Sequence, residues 1–432
     1  MPILTLEPLR WQEDPSRITV WNGDSQPSVY FQVIRPRCVE DICCGRPVEE
    51  LPRLVTLLGP SEHLTAALAL DRLFQVAPPE TAQNLRAALL QAQFCSAHLR
   101  KLYFLMTSCQ DPLADFLSSG RGLRPPGPSK RVLEKIRHQA ALAQEAEDIL
   151  GGRHEQPLTA VTGGVSRDLK EGPYERLDAI GTSLLPAVQE LAEFLRTEVL
   201  TDRGGAAPWS QIEIPPLSGL HLDPGGQALL NDPQGGGPQP ISAERLGEDL
   251  ARHREAWTYQ PFVYLREKGW PGVVPAPGLF QVGPLARFNA GREAVTPLAE
   301  EERQRVRECL GAPPVYTLTA AIGALAVELI QAVEILGSLS SPEKLAGPVL
   351  RTIPRGHGDS TWAALETPQG LSWHGYQVNE EGIVQSVTVI DPRTSNNALK
   401  CLLAEQVVRG GLQKKEAPAA IKEKAAVALL LF

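Results

Sequence analysis

Seven cysteines, Cys38, Cys43, Cys44, Cys95, Cys109, Cys309 and Cys401, are scattered through 432 residues, and no Cys-x-x-Cys pair occurs anywhere. An odd number at irregular spacing argues against a disulfide framework. The missing pair removes the usual spacing of a thiolate metal loop. A basic excess is lacking too: 42 Lys and Arg face 50 Asp and Glu, a net charge of -8. A phosphate backbone is then repelled on average, which excludes nucleic acid as a partner. The opening MPILTLEPLRW has no charged start ahead of an apolar run. No later stretch reads as the roughly 20 apolar residues a membrane span needs. The expectation is a cytoplasmic protein with no membrane span, whose apolar residues 425–432 pack inside it or against a partner.

What is present describes an ordinary folded chain. Hydrophobic residues make up 43% and charged residues 21%, enough for a sizeable core. With 37 glycines and 38 prolines, long irregular connections are expected. RITVW, the turn-forming NGDSQP and SVYFQVI read as a hairpin, within a β region spanning 1–60. Helical spacing starts after Ser61, placed as an N-cap, in SEHLTAALALDRLF. A longer helix follows, with Leu85, Leu89, Ala92, Ser96, Leu99, Tyr103 and Met106 in one core-facing stripe. A Pro/Gly-rich loop at 120–129 precedes a third helix, RVLEKIRHQAALAQEAEDIL, and further helices are expected at 174–200 and 318–336. Residues 201–242 read as a Gly/Pro-rich insertion, with GGQALLNDPQGGGPQP exposed or mobile. GLSWHGYQV and IVQSVTVI around NEEG read as a second hairpin. The fold class is α+β and helix-rich, a single domain over 1–432 with its helical core at 61–200 and again within 243–432.

Four segments, in order, carry a resemblance: VIRPRCVEDICCGRPVEELPRL, HEQPLTAVTGGVSRDL, PGLFQVGPLARFN and ALETPQGLSWHGYQVNEEGIVQSVTVIDPRTSNN. Together they resemble the large subunit of the nickel-iron hydrogenases, most closely the soluble cytoplasmic type, along nearly the whole chain. Arg46, Pro47, Glu50, Pro52 and Arg53 fall on the family's Gly-Arg-Pro and Glu-x-Pro-Arg positions. The resemblance implies a helix-rich large-subunit fold with small peripheral hairpins, and a shared fold does not by itself carry chemistry.

In that family nickel is held by soft thiolates from a Cys-x-x-Cys early in the chain and another near its end. The early pair should lie between Arg53 and His63, where LVTLLGPSE has no cysteine and only Gly59 survives. The late pair should follow the last helix, beyond Phe432. Glu366, Thr367, Pro368, Gln369 and Gly370 stand on the family's Glu-Ala-Pro-Arg-Gly, so Gln369 puts a neutral amide where a permanent cation belongs. The early Arg-Ile-Glu-Gly-His element is blurred into Arg10, Trp11, Gln12, Glu13 and Asp14. No catalytic, cofactor-binding or metal residue is assigned. Arg46, Glu50, Gly59, His63, Glu366, Gln369 and His374 mark a vestigial pocket. Cys38, Cys43 and Cys44 read as thiols on opposite faces of an extended segment rather than an iron-sulfur or zinc site. Glu62 and His63 read as a helix cap or surface pair. His374 and His98 face the old pocket or are hydrogen-bonded core histidines.

The resemblance then implies a large-subunit relative with no nickel-iron centre: a non-catalytic subunit pairing with an iron-sulfur small subunit in a cytoplasmic redox complex. The alternative is a scaffold for hydrogenase maturation, partnered by other redox or maturation proteins, and the third reading is hydrogen activation on unfamiliar ligands. Without a metal to join them, residues 54–58 and 425–432 are expected to pack on each other, burial replacing ligation. No C-terminal processing is expected.

Overall fold

A computed structural model describes residues 3–8, 15–23, 26–108, 130–169, 171–201, 212–234, 236–241 and 246–432. The blurred element at 10–14 and the loop at 120–129 lie outside them. Four long helices occupy the centre: Glu80–Ser108, Lys130–Gly151, Glu171–Phe194 and Leu318–Leu339. Their partners explain their composition. Glu80–Ser108 is wedged between Lys130–Gly151 and Leu318–Leu339, so it buries Cys95, His98 and Leu102 as well as most of the expected stripe. Glu171–Phe194 accommodates Pro186 and continues as a π-helical turn, Leu195–Leu200.

Leu318–Leu339 starts at Thr317, whose Oγ1 accepts from the Ala320 N–H at 3.1 Å. By length and composition it is apolar enough to cross a membrane, which corrects the expectation that no such stretch exists. Its surroundings are a protein core: it packs on Glu80–Ser108, Glu171–Phe194 and Pro297–Leu310, and its Glu328 and Glu334 are hydrogen-bonded within the fold.

The N-terminal hairpin forms as Ser16–Trp21 against Ser28–Val33, with Leu4–Leu6 added at its edge. The region up to residue 60 is not all β, however. Val39–Cys43 and Leu51–Leu54 are short helices, so Cys38, Cys43 and Cys44 do not sit in an extended segment. The supposed insertion also differs. Within it Ser218–Leu222 and Ala228–Asn231 pair antiparallel in a four-stranded sheet, and Ala228, Leu229 and Leu230 are buried. The glycines there serve a turn: Gly226, at φ +81°, donates to Asp223 O at 2.8 Å and closes the hairpin. Gly370–Val378 and Val384–Ile390 form the second hairpin, joined by Ser360–Thr367 into a three-stranded antiparallel sheet.

Glu62–Leu73 lies between two apolar clusters. Ala66, Ala69, Leu70 and Leu73 pack with Val55, Leu58 and Tyr376, whereas Leu64 and Ala67 join the large helical core. The last helix, Pro418–Leu430, packs on Asn397–Gln413 and Glu80–Ser108, and Leu429, Leu430, Leu431 and Phe432 are all buried. The tail is therefore core, but it belongs to the helical cluster and residues 54–58 to the other. The expected direct packing of the two segments is therefore not seen; the segment 391–397 bonds to each of them instead.

Candidate functional site

Leu51–Leu54 runs through a 3-10 turn, Val55–Leu57, into the link 58–61 ahead of Glu62–Leu73. Ser61 is not the side-chain cap its type implied. Its backbone is already helical, its hydroxyl makes no capping bond, and its carbonyl accepts from Leu64 and Thr65.

Glu62 and His63, adjacent in sequence, point into different settings. Glu62 is buried and its Oε2 lies 2.5 Å from Ser372 Oγ and 2.8 Å from His374 Nε2. Tyr376 O–H lies 2.6 Å from His374 Nδ1. Ser372, His374 and Tyr376 alternate along one face of Gly370–Val378, which is how a strand lines up three side chains against one helix. A carboxylate only accepts, so His374 donates through Nε2–H and Nδ1 receives the Tyr376 proton. Burial, then the nearby Cys43 and Glu62, push the Tyr376 phenol well above its usual range. His374 is thus a fully satisfied core histidine.

His63 instead bridges the short helix Leu51–Leu54 and the strand Ala160–Val161. Its Nδ1 is 2.8 Å from Pro52 O, and its Nε2 accepts from the Ala160 N–H at 3.0 Å. Burial pushes it down to about 4, so the ring is neutral. The cap or surface pairing with Glu62 is accordingly not formed. Arg46 and Glu50 pair with each other at 3.4 Å, half exposed, and Arg46 Nε donates to Ile42 O. These bonds keep them at the surface, Arg46 in the bend after Val39–Cys43 and Glu50 at the end of the 3-10 turn Val48–Glu50, rather than at the link.

Glu366 belongs to a second, partly buried network. Its Oε1 accepts from Leu222 N–H at 2.7 Å and its Oε2 from Arg287, whose guanidinium also grips Glu328 at 2.5 and 2.8 Å. Glu328 in turn meets His98 Nε2 at 2.9 Å. Burial would raise Glu328, but Arg287 and His98 outweigh it and hold the carboxyl at about 2. Burial lowers His98 despite Glu328, which makes it a neutral hydrogen-bonding partner. Gln369 sits at the turn between Ser360–Thr367 and Gly370–Val378. Its carbonyl would lie 2.6 Å from a Cβ on Gly283, which explains glycine there, at φ +109°.

Sequence reasoning missed the segment 391–397. Asp391 is buried and accepts from Arg37 Nη1 at 2.5 Å. Burial favours its neutral form, yet Arg37, Arg393 and Thr394 outweigh this and keep it below the usual range. Arg393 Nη2 donates to Leu58 O at 2.5 Å, and Asn396 Nδ2 lies 3.5 Å from Phe432 O. A cavity of about 310 Å3 adjoins the link, lined by Leu58, Arg37, Cys38, Arg252, Asp391 and Thr394 among others. Cys38 and Cys44 are exposed and Cys43 is buried, which pushes its thiol up to about 11.

No protein-family model matches the chain. The iron-sulfur subunit of an F420-non-reducing hydrogenase from Archaeoglobus profundus is 26% identical, over 92% of this chain and 86% of its own. The beta subunit of the NAD-reducing hydrogenase HoxS from Cupriavidus necator is 23% identical, over 91% and 85%. A crystal structure of an NAD+-reducing NiFe hydrogenase in the H2-reduced state superposes with a TM-score of 0.86 at 21% identity, over 99% of this chain and 97% of that one. The fold is that of a nickel-iron hydrogenase large subunit. The chain is a homologue of those subunits along nearly its whole length.

That family implies a nickel-iron centre, and the residues at the early motif do not fit one. With Gly59 as the surviving glycine, Leu58 and Ser61 take the two positions of a Cys-x-x-Cys, an alkyl group and a hydroxyl where soft thiolates are required. A guanidinium, which donates and never ligates, is bonded to the same link. Among the described residues no three His, Cys, Asp or Glu side chains converge to offer another set.

Proposed function

We propose that this hydrogenase large-subunit homologue is a non-catalytic subunit that lacks the nickel-iron centre and pairs with an iron-sulfur small subunit in a cytoplasmic redox complex. The observation that carries the reading is the link 58–61, where Leu58 and Ser61 replace a thiolate pair and Arg393 donates to Leu58 O. The fold around the link is intact: its flanking helices pack on Tyr376 and the three-stranded sheet, so the loss of ligands is confined to the site. An emptied large subunit that keeps its packing keeps the capacity to cover a partner's cluster and exclude water from it. The Archaeoglobus profundus relative is itself named an iron-sulfur subunit, which agrees with such a setting.

The test is co-expression with the iron-sulfur small-subunit-like protein of the same genome. The reading expects a stable pair with iron-sulfur absorption and no hydrogen uptake. Absence of that pair, together with transient capture of a complete large subunit before its metal is loaded, would favour the maturation scaffold instead.

A further inference from the structure

Residues 346–359 run without helix or strand, yet their middle is pinned on both sides. On one side Val165 N–H donates to Leu350 O at 3.0 Å, Thr352 N–H to Gly163 O at 2.8 Å, Arg351 Nε to Thr162 O at 2.8 Å and Thr352 Oγ1 to Ala77 O at 2.7 Å. On the other, Gly358 N–H donates to Leu73 O at 2.8 Å. The tip between these anchors faces solvent. Ile353 is 79% exposed, and the exposed Arg355 has no partner among the described residues. A tip held at both feet has already given up much of the freedom that docking would otherwise cost.

Beside it lie two open clefts of about 500 and 900 Å3 that meet at Gln75 and Val76. Leu68, Phe74 and Val76 give them apolar walls, and their free charge is positive. Asp71, the single acid among the lining residues, is taken up by Arg86 and by the Gly163 N–H. Arg72 donates to the Trp362 carbonyl and Arg351 to the Thr162 carbonyl, so neither they nor Arg355 have a carboxylate partner among the described residues. Uncommitted cations around an exposed apolar residue, on a chain of net charge -8, form a surface complementary to an acidic protein with an apolar pocket.

The position says which partner. The tip is bonded to the C-terminal end of Glu62–Leu73, a helix about 18 Å long whose N-terminal end is the link. The strands Ala160–Val161 and Gly164–Val165 touch both: Ala160 N–H bonds His63 beside the link, and Val165 N–H bonds the foot of the tip. A protein seated over the link therefore reaches the tip within one ordinary interface.

We propose that the tip 353–356 and its clefts are a docking surface for the iron-sulfur partner, received by a part of that partner in which carboxylates surround an apolar pocket. This rests on the partnership read above. Ile353 is the anchor that holds the pair together, and Arg72, Arg351 and Arg355 meet the carboxylates and speed its formation.

The test is binding of the full chain to the iron-sulfur small-subunit-like protein of the same genome, with Kd and association rate measured at several salt concentrations. Ile353→Asp, at an exposed position, is expected to raise Kd about tenfold or more. Arg72→Glu combined with Arg355→Glu is expected to slow association several-fold at low salt, a difference that shrinks as salt rises. Val295→Asp, at a 73% exposed valine outside the clefts, is the reference and is expected to change neither. The two tests are independent, so a variant that fails to fold, seen in its melt, leaves the other to decide. An unchanged Kd in a folded Ile353→Asp, an unchanged association rate in the folded arginine variant, or an equal loss in Val295→Asp overturns the inference and leaves the partnership standing. A pair that never forms with the unmodified chain is a distinct outcome, which removes the partnership itself and the inference with it.

Discussion

Acid should loosen the fold through His63 before it loosens most of the chain. The imidazole joins the short helix at Pro52 to the strand start at Ala160, and it does so only when neutral: Nε2 must accept from the Ala160 N–H while Nδ1 faces the Pro52 carbonyl. Protonation would put a second donor against the Ala160 N–H. Burial accordingly pushes the ring from 6.5 down to about 4. The unfolded chain then binds the proton first, so this contribution to stability is full above about pH 6.5 and is lost as pH falls through about 4. Between about pH 7.5 and pH 5 the loss from this group amounts to about 2 kcal/mol. With an unfolding entropy of roughly 2.1 cal/mol/K per residue, that corresponds to about 2 °C in Tm for a chain of this length. The comparison is His63→Gln, which keeps a donor and an acceptor but does not titrate. Thermal melts of both proteins at the two pH values isolate the effect, since other groups titrate alike in each. The variant should start lower at neutral pH and lose about 2 °C less on acidification. Equal losses in the two proteins would refute the argument that His63 is locked neutral.

Glu147 should act with the opposite sign: burial first, against the Ser96 hydrogen bond, Arg100 and His154, pushes its carboxyl up to about 7, so Glu147→Gln should raise Tm relative to wild type at pH 8 and have little effect near pH 5, read by the same melts. Arg287→Gln leaves the partly buried Glu328 and Glu366 without their cation and should cost about 1.5 to 3 kcal/mol in denaturant unfolding, more than an exposed ion pair would. Leu429→Ala, at a fully buried position of the last helix, should cost about 2 to 5 kcal/mol, and an unchanged melt would place the tail outside the core.

The sequence carried the long helices and both hairpins because their apolar spacing is local: Leu85 to Met106 repeats within one element, and RITVW alternates within another. It misjudged the residues around 228–231 because glycine and proline density marks turns but says nothing of the short buried strand between them. It missed that Leu318–Leu339 passes the length and composition test for a membrane span, a helix whose burial comes from three neighbouring helices rather than from lipid. At the site, the absence of early thiolates was legible residue by residue. The partners of Glu62, His63 and Arg393 were not, since His374 lies 312 residues from Glu62 and Leu58 lies 335 from Arg393. The alternation of Ser372, His374 and Tyr376 was the one local signal of a polar face on a buried strand. The bond from Arg393 had no local signal, which is why burial of 54–58 against the tail looked sufficient to replace the metal.

The central claim is that this homologue of the nickel-iron hydrogenase large subunits holds no nickel-iron centre. Elemental analysis of the full chain, produced in a host that assembles active hydrogenases and purified without chelators, tests it directly. The account predicts no stoichiometric nickel in the purified chain, and close to one nickel per chain would contradict it.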